Sequence, residues 1–144
     1  MLTIVKLVGS ESVGDELRRL VTELNSRCAP QIEFTPRSRR RPYQWATSLC
    51  DGPDWHVHLD SILFFVDHAG EALVDARGLG VDIVVDTAVW VPDDMAGSVY
   101  QSVYYEPEFL AEMGRRGVCL MITVYDTYDR ELEDNHGDDV RPTR

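Results

Sequence analysis

"DWHVHLDSILFFVDHAGEALVDARGLGVDIVVDTAVWV" (residues 54–91) carries two different hydrophobic periods in succession, and the junction between them sets the fold class. In its first half Trp55, Leu59, Ile62, Leu63 and Val66 mark one face at helical spacing, with Asp54 placed to cap the first turn. The stripe continues through Ala69, Ala72, Leu73 and Ala76 to the glycines of "RGLG", with Gly70 as a weak point or break. "VDIVVDTAVWV" (81–91) then reads as a long strand. The helical reading also bears on "DWHVHLD" (54–60), whose two histidines and flanking aspartates have the chemistry of a metal site. Side chains two apart on a helix point about 200° apart. His56 and His58 therefore cannot share an ion, and neither a zinc spacing nor HExxH is present. His58 is expected at the core edge, bonded to a backbone carbonyl.

Upstream, "LTIVKLV" (2–8) reads as a buried strand. A helix follows, with Ser12 and Asp15 as a capping box and Leu17, Leu20, Val21 and Leu24 as its buried face. Pro30 ends it. "QIEFT" (31–35) and "YQWATSL" (43–49) read as strands that pair across a basic loop, "PRSRRRP" (36–42). Downstream, "PDDMAG" (92–97) reads as a turn and "SVYQSVY" (98–104) as a return strand. "PEFLAEMGRRG" opens with proline and acids and closes with Arg115 and Arg116, as a helix dipole favours. "VCLMITVY" (118–125) is the last strand, with Cys119 a small buried hydrophobe. The order β-α-β-β-α-β-β-α-β predicts a single α+β sandwich over residues 1–125, with a mostly antiparallel sheet and helices on one face. Residues 126–144 are acidic and poor in apolar side chains, and are predicted to be disordered.

A chain of 144 residues suits one domain that buries roughly 68–70% of its unfolded surface without a disulfide or metal. Cys28, Cys50 and Cys119 show no CxxC spacing. The start lacks a basic, then apolar, leader, and no run reaches the ~20 apolar residues of a membrane span. A cytoplasmic protein is expected. The net charge of -11, from 25 acidic against 14 basic residues, disfavours nucleic acid and anionic membranes and favours a protein partner with a basic surface. Lys6 is the only lysine, an arginine bias typical of GC-rich coding sequence.

"WATS" (45–48), His58-Leu59 in a helix, "GVDIVV" and "YEPEFLAEMGRRGVCLMITVY" together resemble a widespread bacterial family catalogued only as a domain of unknown function. The resemblance covers roughly residues 43 to 125. It implies an α+β fold and no catalytic residues to carry over, and by analogy of type an immunity partner for a toxin.

No nucleophile elbow, P-loop or dinucleotide fingerprint occurs, so no catalytic residue, cofactor or metal is assigned. The candidate partner surface comprises Trp90, Tyr100 and Tyr104 with Asp93 and Asp94, aromatic anchors beside charges that steer a basic partner. Arg37, Arg39, Arg40 and Arg41 are candidates for an anion or an acidic protein surface. Asp82 and Asp86 share a strand face expected to meet solvent. The alternative is a small-ligand pocket or enzyme near Trp45, Ser48 and His58, and self-association is left open.

Overall fold

A computed structural model describes residues 1–91 and 104–126. A five-stranded mixed sheet, with helices on one face, is built from β1 (Leu2–Val8), β2 (Thr35–Ser38), β3 (Arg41–Asp51), β4 (Asp82–Val91) and β5 (Val118–Asp126) in the order β2-β3-β1-β4-β5. All neighbours are antiparallel except β4 and β5, which run parallel. The helices are α1 (Gly14–Cys28), α2 (Trp55–Ala69), α3 (Ala72–Gly78) and α4 (Pro107–Arg116). The α+β class and the helices on one face are as the sequence predicts.

Alternation along the strands decides what each face contains. Thr3, Val5 and Leu7 of β1 lie opposite Thr87, Val85 and Ile83 of β4, and all six are buried against the helices. Phe34, Leu17, Leu24, Ile62, Phe65 and Leu73 complete that core. Ile4, Lys6, Val84, Asp86, Met121 and Thr123 take the other face, which no helix covers among the described residues.

The long helical stretch divides where the sequence places its weak point. Asp54 caps α2 by accepting from the His56 amide at 2.9 Å. Gly70 leaves it at φ 54°, a left-handed value that costs glycine little, and α3 begins two residues later. Gly117 closes α4 at φ 70° in the same way.

Several local expectations differ. The Ser12/Asp15 capping box does not form: a 3-10 turn at Glu11–Val13 precedes α1, Ser12 bonds Ser10, and Asp15 pairs with Arg18. The strand expected at 31–35 starts only at Thr35. The Asn25 side chain donates to the Phe34 carbonyl and accepts from its amide at 2.7 Å, taking the bonds a strand neighbour would make. The supposed arginine loop is a hairpin, with Ser38 opposite Arg41 and only Arg39 and Arg40 between them. The return strand at 98–104 falls mainly outside the described residues; Tyr104, its last residue, is not in a strand. Both edges of β4 are already taken by β1 and β5. Cys119 is exposed, because it points to the uncovered face of the outermost strand. β5 extends through Asp126, one residue into the stretch predicted to be disordered; residues 127–144 lie outside the described part.

Ile62 sits on α2 with no solvent exposure, whereas Val74 on α3 is 51% exposed. Ile62→Ala is expected to lower the unfolding free energy by about 2–5 kcal/mol, and Val74→Ala by no more than about 0.5 kcal/mol. Urea denaturation of the two variants checks this core assignment.

Candidate functional site

The start of α2 is tied to the sheet by a buried chain of polar groups. His58 is wholly buried, with Nε2 2.9 Å from the Gly52 carbonyl and Nδ1 2.8 Å from the Thr3 hydroxyl. A carbonyl only accepts, so Nε2 donates, and in the neutral ring Nδ1 then accepts from Thr3. The Thr3 hydroxyl also lies 3.0 Å from that of Thr87, which extends the chain to β4. The expectation of a core histidine on a backbone carbonyl is met, and His56, on the other side of the helix, is exposed.

The Tyr105 hydroxyl is buried near Thr87 but has no partner at hydrogen-bond geometry. Burial pushes its phenol above the ordinary 10.0, opposed by the neighbouring Thr87 hydroxyl. Its ring joins a file of aromatic contacts. Trp55 stacks on His58 at 6.2 Å and meets Tyr105 edge-on at 5.1 Å, and Tyr105 stacks on Phe109 at 5.3 Å. Trp55 Nε1 donates to the Tyr104 carbonyl at 2.9 Å. The approach to α4 is thus fastened to the first turn of α2.

Between these two segments lies a cleft of about 430 Å³. Trp55, Leu59 and Leu63, spaced four apart on α2, supply one wall, and Tyr104 and Phe109 the other. His56, Asp60 and Glu106 complete the lining, with no lysine or arginine among them. Tyr104 is 64% exposed, and Leu63 and the nearby helical residue Leu110 also reach solvent. The lining is mostly apolar and aromatic, and its charged members, Asp60 and Glu106, are acidic.

Of the sequence-predicted partner surface, Tyr104 belongs to this cleft. Trp90 does not. It shares the uncovered sheet face with Tyr125, on which it stacks at 5.7 Å, away from the helix side that holds Trp55. Asp93, Asp94 and Tyr100 lie outside the described residues. Arg37, Arg39, Arg40 and Arg41 are all exposed on the β2–β3 hairpin and make no ion pair among the described residues. Trp45, Ser48 and His58 do not converge. Trp45 packs toward the helices, Ser48 is exposed on the opposite face of β3, and His58 is sealed in the core. No group of three or more His, Cys, Asp or Glu side chains is placed to hold a metal among the described residues.

A second polar centre escapes sequence reading. Asp86 shares a face with Asp82, as expected, but is 3% exposed rather than solvated. It pairs with Lys6 at 2.5 Å and accepts from the Thr123 hydroxyl at 2.7 Å. The one signal in the sequence was the lone lysine, set in an apolar strand of a chain that otherwise uses arginine. An ammonium on a flexible four-carbon stem reaches diagonally across the sheet face from β1 to the carboxylate on β4.

Compared with protein-family models, curated proteins and solved structures, the chain matches none. No helix among the described residues is long and apolar enough to cross a membrane.

Asp86→Ala strands the Lys6 ammonium and is expected to cost about 3–5 kcal/mol, whereas Lys6→Met with Asp86→Leu should fall within about 1 kcal/mol of the parent or above it. A denaturation cycle in which the double variant is as weak as the single would contradict a pair that matters through its charge balance.

Alkali probes the helix-side core. Burial raises the Cys28 thiol above the ordinary 9.0 against the lowering effect of Arg27, and Tyr105 is raised as well. Both groups hold their protons longer folded than unfolded, so their contribution is full below about pH 9 and is lost as pH rises through the raised values. The denaturant midpoint should fall above about pH 9, and less steeply in Cys28→Ala.

Proposed function

We propose that the chain is a non-enzymatic protein-binding domain of the inhibitor or immunity kind, which occludes a basic toxin or effector at the Trp55–Tyr104 cleft. One observation carries the reading: an apolar, aromatic groove whose charged lining residues, Asp60 and Glu106, are both acidic, on a chain of net charge -11. Aromatic side chains supply large contact area at low entropic cost, and a surrounding acidic field speeds encounter with a cationic surface. Tyr104 and Leu63 are already presented, so little reorganisation is needed on binding. The immunity assignment rests on the motif resemblance and on charge.

The Arg37–Arg41 hairpin supports a lesser role, that of a separate contact for an acidic group or anion.

The partner is sought by affinity capture from the native host, and the purified complex then tests the surface. Tyr104→Ala, and Asp60→Arg with Glu106→Arg, are each expected to weaken it at least tenfold, about 1.4 kcal/mol. The charge variant should also flatten its salt dependence. Arg39→Glu with Arg40→Glu should leave affinity within about twofold. Equal affinity and equal salt dependence across the cleft variants would refute the cleft as the binding surface.

A further inference from the structure

We infer that β5 is a homodimerisation strand, by which two copies of the chain join edge to edge, antiparallel, into one continuous sheet. The two outer strands of the sheet are built differently. β2 has four residues, includes Pro36 and Arg37, and is exposed throughout, which are devices that discourage further pairing. β5 has nine residues, no proline or glycine, and no charge from Val118 to Tyr125. Its outer edge has no neighbour among the described residues, which leaves about half of its backbone N–H and C=O groups pointing outward. Apolar side chains are exposed on both of its faces: Met121 at 40% on the uncovered face, and Ile122 at 44% and Val124 at 64% on the helix side.

Charge selects the occupant and its direction. Arg115 and Arg116 end α4, with Gly117 alone between them and the strand, and both pair with the single carboxylate of Glu112, so these three side chains sum to one positive charge. The Arg116 hydrogen bond and the two nearby cations hold the Glu112 carboxyl below its ordinary range. Asp126 ends the strand. Antiparallel pairing about the middle of β5 brings the basic end of each strand to the acidic end of the other; parallel pairing would stack like on like. With Ile122 opposite its own copy, Leu120 faces Val124 of the second strand and Met121 faces Thr123, so the stripe complements itself. For a chain with net charge -11, self-contact along an uncharged strand costs less electrostatically than contact through acidic surface.

Sedimentation velocity of the isolated chain tests this from about 1 to 100 μM, a range chosen because one paired strand is a small interface. The wild type should pass from monomer to dimer. Val124→Lys, which puts a charge on the outer strand, should weaken association at least tenfold, as should Asp126→Arg, which places like charges together at both ends. Val74→Lys on α3 should associate as the wild type does, with circular dichroism confirming that each variant is folded. A wild type that stays monomeric at the highest concentration would overturn the proposal and give the edge to another segment or another protein. A dimer that both β5 variants leave intact would overturn it equally.

Discussion

β1 is the constraint on which the structure depends. Seven residues hydrogen-bond along both edges, to β3 and to β4, and their alternation assigns the contents of both faces. Val5 and Leu7 join the core under the helices, while Thr3 extends that row into the polar chain that fixes His58. Lys6 faces the other way and neutralises Asp86. A one-residue slip would send Lys6 into the apolar core and Val5 and Leu7 out of it, so the register is determined by charge burial as much as by hydrophobic area. The cleft follows from this placement. Thr3 and Gly52 hold His58, His58 stacks on Trp55, and Trp55 grips the Tyr104 carbonyl, so the wall of the cleft is referenced to the centre of the sheet.

Features set by local periodicity were legible in the sequence. The helical stripe from Trp55, its Asp54 cap, the break at Gly70 and the proline start and arginine end of α4 are all intrinsic to their own segments. Features set by partners distant in sequence were not. Asp86 reads as a solvated carboxylate until Lys6, 80 residues away, and Thr123 are brought beside it. Cys119 sits in an apolar run like that of a buried strand, yet the outermost position of β5 leaves one of its faces open. Asn25 shows the same limit in reverse, since its side chain satisfies the Phe34 backbone and delays a strand whose residue pattern looked sufficient.

Of the cleft residues, the sequence reading of a partner surface named Tyr104 and none of the others. Exposed tyrosine beside acids points to an interface, and Tyr104 is where that composition and the folded surface coincide. Trp55, Leu59 and Leu63 were read as the buried stripe of a helix, and Trp55 is indeed buried. Leu63 is not, because the stripe drifts by about 40° at each four-residue step and emerges beside the chain leading into α4. Asp60 and Glu106 carry no signal of their own; only the meeting of two segments distant in sequence brings them into one lining.

Hydrogen–deuterium exchange of the chain, free and in complex with the protein it retains from its host, reads the binding surface without altering it. Occlusion at the cleft predicts slowed exchange together in residues 55–63 and 104–109, with the β2–β3 hairpin unchanged. Protection confined to the hairpin, or absent from both walls of the cleft, would contradict it.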